Sequence, residues 1–161
     1  MSNELFSVKP EKYGLNYNQH LFEQYKMLVD SVEKTSDRRL QANNYFIAIN
    51  TAIFTLIGLT YQIDAINNSS QLRIMLSAAG ALVSLIFFFL IRSYKQLNTG
   101  KFTVIHKIEE RLPLKLYEFE WKVLGEGKDI NKYYPFSHIE MLLPWAVIVI
   151  YGILIFTCGA I

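Results

Sequence analysis

Three apolar blocks, each about as long as a bilayer is thick, decide what this chain can fold into. The first, "NYFIAINTAIFTLIGLTYQI" from Asn44 to Ile63, holds no charged residue. At about 1.5 Å per helical residue its length covers roughly 30 Å, the thickness of a hydrocarbon core. The second runs from Ile74 to Ile91 and ends in "LVSLIFFFLI" at Arg92; the third is "MLLPWAVIVIYGILIFTCGAI", Met141 to Ile161. A 161-residue chain that is 52% hydrophobic has more apolar surface than a soluble domain of its size can bury. Nearly all the charge lies between the blocks, so a bilayer hides the excess better than a globular core does. The expected fold is all-α and integral to the membrane, with three transmembrane helices and amphipathic cytoplasmic helices, assembling as a homo-oligomer.

The blocks divide the chain into a cytoplasmic N-terminal region (1–43), a first span (44–63), an extracytoplasmic loop (64–73), a second span (74–91), a cytoplasmic helical region (92–140) and a third span (141–161). Met1 to Tyr13, punctuated by Pro10 and Gly14, reads as an extended lead-in. From Asn16, an N-cap candidate, Leu21, Tyr25, Leu28 and Val32 recur at helical spacing, opposite a face carrying Glu23, Lys26, Asp30, Glu33 and Lys34. No Gly or Pro separates this stripe from the first span, which predicts one long helix. The loop "DAINNSSQL" can join only antiparallel neighbours. After Arg92, Leu97, Val104, Ile105, Ile108 and Leu112 continue the second helix beyond the apolar block, with a break expected near Gly100 and an end at Pro113. A short helix over Leu116 to Leu124 follows, closed by Gly125 in the left-handed conformation. Pro144 falls in the first turn of the third span as read from the block, and Trp145 suits an interfacial belt.

The cations set the orientation. Lys9, Lys12, Lys26, Lys34, Arg38 and Arg39 precede the first span, nine more lie between the second and third, and Arg73 alone marks the other loop. The positive-inside rule places the N-terminus in the cytoplasm and the C-terminus outside. Because a polar segment precedes the first block, that block is expected to act as its own insertion signal rather than as a cleaved leader.

No constellation for catalysis is evident, so no enzyme and no cofactor are expected. Cys158, the single cysteine, excludes an internal disulfide framework. His20, His106 and His138 show no metal-ligand spacing. "GEGKD" lacks the spacing of a phosphate loop and follows a helix rather than a strand. The informative pattern lies inside the membrane: Asn44, Thr51, Thr55, Gly58 and Gln62 fall within about 40° of one direction at 100° per residue, with Asn50 flanking them. Polar groups at that depth need protein or water as partners. The stripe is either glue between helices or the lining of a path enclosed by several copies, since one three-helix subunit has too little wall to enclose a pore. On the second span, "SAAGALVS" offers small residues at four-residue spacing for close packing, and Phe87, Phe88 and Phe89 point in three directions. The third span reads as a plain anchor.

Basic and aromatic residues mingle outside the spans, and the ligand-binding candidates are Arg38, Arg39, Arg92, Tyr94, Lys95, Lys101, His106, Trp121 and Lys128. Cations neutralise phosphates and aromatic faces stack bases, which points to a nucleotide or oligonucleotide. The plainer reading is that cations beside a membrane follow from topology and anionic lipid.

The charged helix "SVEKTSDRRLQANNYFIAINTAIF" entering the membrane, and a second span continuing as "LIRSYKQLNTGKFTVIHKIEERLP", resemble the SLATT-type membrane effectors of bacteria over roughly residues 18–140. Asp37-Arg38-Arg39 with Asn43 and Asn44, Arg92 with Tyr94, and the stretch from "GEGKD" to "PFSHIE" carry the resemblance, while the third span departs from the minimal two-span pattern. Among such proteins the chain looks most like the membrane component of Hailong-type two-gene systems. The resemblance implies a pore-forming effector of anti-phage defence in the bacterial inner membrane. It further implies a homo-oligomer, expected here as a tetramer, gated by a nucleotide ligand made by a partner nucleotidyltransferase. A non-conducting structural or accessory subunit anchoring a cytoplasmic interaction module is the alternative.

Overall fold

The structure, a computed structural model, describes residues 5–63, 70–129, 132–133 and 136–159. Every regular element among them is helical: α1 (Tyr17–Leu59), α2 (Ser70–Glu109), α3 (Leu116–Val123) and α4 (Phe136–Gly159), preceded by a single turn, Pro10–Tyr13, with a 3-10 turn, Gly125–Gly127, after α3. Most of the expected loop after the first span, residues 64–69, lies outside the described residues, as do 130, 131, 134 and 135 of the loop before the third.

The single long helix expected from the charged N-terminal region into the first span is α1, 43 residues with Gly58 as its only helix breaker. Three expectations are corrected. The lead-in holds a helical turn, with Pro10 at a helix start where its missing N–H costs nothing. α2 passes through Gly100 unbroken and ends at Glu109, before Pro113. An interior glycine costs about 1 kcal/mol of helix stability, and the packing of Phe102, Ile105 and Ile108 in the turns that follow it offsets it. α4 starts at Phe136, so Pro144 sits inside the helix rather than in its first turn, leaving the Glu140 carbonyl without an intrahelical donor.

Three helices contain stretches long and apolar enough to cross a membrane: α1, α2, and α4 from Ile139 to Gly159. The chain is a multi-pass membrane protein with an all-helical fold. It forms two compact units, Met1–Asp37 with Gln96–Tyr134 and Arg38–Lys95 with Pro135–Ile161.

In the first unit the sequence's stripe becomes a core: Leu21 and Tyr25 of α1 meet Ile105 and Ile108 of α2, with Val32, Phe102 and Tyr117 packed around them. Lys101 is half-buried and donates to the Ser31 carbonyl at 2.6 Å and the Ser31 hydroxyl at 2.8 Å. The fully buried Glu109 carboxylate accepts the Tyr25 hydroxyl at 3.0 Å and the backbone N–H groups of Tyr117 and Glu118 at 2.9 and 3.1 Å. Those two N–H groups belong to the first turn of α3, which has no capping side chain of its own. Glu109 therefore supplies the negative cap that a short helix needs.

In the second unit the three spans lie against one another in a definite order. Asn43, Asn50 and Tyr61 of the first chain segment contact Glu140, Tyr151 and Cys158 of α4, so the two ascend together. Phe87 and Arg73 of α2 meet Phe46 and Tyr61, so α2 runs the opposite way. The starts of the first and third spans thus share one end of the unit.

Candidate functional site

The polar positions of the first span separate into two groups on folding. Asn50 is only 3% exposed; its amide donates to the Phe46 carbonyl at 2.9 Å and its side-chain oxygen accepts the Tyr151 hydroxyl at 2.9 Å. Asn44, Thr51, Thr55 and Gly58 of α1, and Gln62 in the turn beyond its end, remain exposed and are not covered by their own chain. Adjacent helical residues diverge by about 100°, which turns Asn50 inward while Thr51 faces out. The Thr55 hydroxyl donates to the Thr51 carbonyl at 2.8 Å, the bond that lets a threonine sit in an apolar medium.

Tyr151 organises this level of the bundle. Its ring stacks on Phe54 at 4.7 Å between centroids and lies against Gly80, where a β-carbon would come within 2.1 Å of the tyrosine Cζ. Ser77 and Ser84, the small residues one turn to either side, are fully buried. The small stripe of the second span therefore admits a ring from the third, and the third span is more than a plain anchor. Phe87, Phe88 and Phe89 do diverge: Phe87 stacks on Phe46 at 4.0 Å, Phe88 meets the edge of Trp145, and Phe89 is exposed.

At the end shared by the first and third spans, Glu140 is 6% exposed; it accepts the Asn43 amide at 2.7 Å and lies 3.6 Å from the Arg39 guanidinium. Sequence reading missed Tyr151, Glu140 and Glu109. Tyr151 is a lone polar side chain in an apolar span, whereas Glu140 and Glu109 stand among other polar residues, and all three are singled out only once the pairing of helices is known.

The nine ligand candidates divide between the units. Arg38 and Arg92 are exposed, Tyr94 and Lys95 half-buried, and Arg39 is engaged with Glu140. In the other unit Lys101 is held by Ser31 and Thr35, and Lys128 pairs with Glu126 at 2.6 Å. His106 and Trp121 come together on a cleft of about 380 Å³, joined by Thr103, Lys107, Lys115, Lys122 and the carboxylates Glu110, Glu118 and Glu126. Three lysines face three glutamates there, so the cleft is mixed in charge rather than basic. Lys122 and Lys115 hydrogen-bond Glu118 and hold its carboxyl down to about 2, while burial and then the Glu109 carboxylate raise the Tyr25 hydroxyl above its ordinary value. Gly125 takes the expected left-handed conformation at φ +70°. Among the described residues no three His, Cys, Asp or Glu side chains gather to hold a metal ion.

The model of the octameric membrane protein family (8xMP) matches residues 22–160. Neither a curated protein nor a solved structure matches the chain. The matched description carries eight copies and gives no support to four.

Proposed function

The chain belongs to the octameric membrane protein family, and we propose that eight copies assemble into an ion channel whose wall includes the polar face of α1. The observation that carries this reading is the exposed line of Asn44, Thr51, Thr55 and Gly58 on a helix apolar enough to span a bilayer, continued by Gln62 in the turn after it. Lipid offers the Asn44 and Gln62 amides and the Thr51 hydroxyl no hydrogen-bond partner, whereas water held inside a ring of copies does. The N-terminus and the region between the second and third spans face the cytoplasm of a bacterial inner membrane, and the C-terminus faces out.

The resemblance to SLATT-type effectors extends the proposal: opening depolarises the membrane as an anti-phage response, and a nucleotide or oligonucleotide on the cytoplasmic side controls it. The cleft beside His106 and Trp121 is the place for that ligand. Trp121 offers a stacking face, and Lys107, Lys115 and Lys122 offer cations once their carboxylate partners exchange for phosphate. The protein performs no catalysis in this reading.

Reconstitution in planar bilayers tests it. Thr51→Leu and Thr55→Leu lower the conductance of the wild-type channel several-fold, and unchanged conductance in both variants overturns the assignment. The rival is a non-conducting accessory subunit, favoured by the Asn50–Tyr151 bond, in which an intramembrane polar residue serves packing alone. A wild-type protein that assembles in lipid and passes no current decides for that rival.

A further inference from the structure

Among its described residues, the unit built from Met1–Asp37 and Gln96–Tyr134 presents an exposed apolar arc on α3 and, besides the cleft at His106 and Trp121, a second hollow. α3 turns Tyr117 onto Phe102 at 5.6 Å, and its opposite arc, Leu116, Phe119 and Val123, is 59%, 68% and 58% exposed. At 100° per residue those three fall within about 60° of each other, with Phe119 foremost. An apolar arc this open, on a segment rich in charge and outside the apolar blocks, is a surface awaiting a partner. The hollow is formed by Leu5, Val8, Tyr13, Tyr17 and Leu21 together with the polar side chains of Ser7, His20 and Gln24, and its volume is about 100 Å³. Side-chain cavities of that order accept a single benzene-sized ring. Charge is complementary as well: Glu120, beside Phe119, forms no ion pair among the described residues, nor do Lys9 and Lys12 beside the hollow.

We propose that the occupant of this hollow is Phe119 of a second copy, so that the α3 face of each copy docks on the Leu5–Val8–Tyr13 surface of the next. This rests on the octameric reading above. A surface that pairs with itself stops at two copies, whereas a closed ring of more than two needs two different, mutually complementary surfaces on every copy. The unit carries such a pair, and confinement in one membrane raises the effective concentration at which they meet.

The experiment uses the full-length protein in native membranes, in a Cys158→Ala background, with Val8→Cys and Phe119→Cys combined in one chain. Oxidation gives a ladder of covalent species rising to eight, and each single-cysteine variant gives none. Native mass of the uncrosslinked protein is measured beside it. An octameric mass without a ladder overturns the docking surface while the octamer stands; a mass below eight copies overturns the octameric reading itself. A Phe119→Cys dimer without a ladder shows a two-fold contact and overturns the head-to-tail arrangement, as does quenching of a fluorophore at position 119 by lipid-borne quenchers.

Discussion

Two glycines of the membrane helices separate packing from exposure at the scale of single residues. A methyl at Gly80 would meet the rigid Tyr151 ring at 2.1 Å, whereas one at Gly58 meets nothing of its own chain within 4 Å. Gly80→Ala is expected to cost about 1–3 kcal/mol, the range for an overpacked core. The cost appears as a lower thermal midpoint in detergent, and Gly58→Ala leaves the midpoint of the dispersed single chain unchanged. Asn50→Leu strands the Tyr151 hydroxyl and loses about 1 kcal/mol, as interhelical bonds in membranes do. It lowers stability without the direct loss of conductance expected of Thr51→Leu. Tyr25→Phe removes one of three donors to the buried Glu109 carboxylate and costs about 1–3 kcal/mol. A thermal midpoint equal to wild type contradicts that role.

At the scale of elements, α3 is the test case. Eight residues are too few to hold a helix alone, and two devices supply the rest: the Glu109 cap from α2 and the Lys115–Glu118–Lys122 clamp at 3.0 and 2.6 Å. Glu118 is depressed from 4.5 to about 2 in the fold, so its contribution is complete above about pH 4.5 and is lost as pH falls toward 2. Amide exchange of α3 accelerates across that window, and Glu118→Gln flattens the profile; a pH-independent wild type contradicts the clamp. Much of this element was legible in the sequence: its span, its closing glycine and its helical period. The Glu109 cap was not, because a residue seven positions before the helix reaches its N-terminus only when the chain reverses at Pro113. The break expected at Gly100 failed for a related reason, since glycine's local cost was outweighed by long-range packing of Ile105 and Ile108.

For the whole molecule, the three spans followed from length and apolarity alone, because a bilayer imposes its thickness on any sequence that crosses it. The division of the polar stripe did not, since Asn50 and Thr51 differ only in which neighbour stands opposite, and that is fixed by the parallel pairing of the first and third spans. Eight copies also lay beyond a single chain's sequence; that number entered with the family. In the proposed channel the polar side of α1 faces water inside the assembly. Cysteine scanning from Asn44 to Gln62, in a Cys158→Ala background and with a membrane-impermeant thiol reagent on the assembled protein, tests it most directly. Modification is expected at positions 44, 51, 55, 58 and 62 and protection at 46, 50 and 57, in a helical period. Protection at all of them, or modification confined to the two ends, would contradict it.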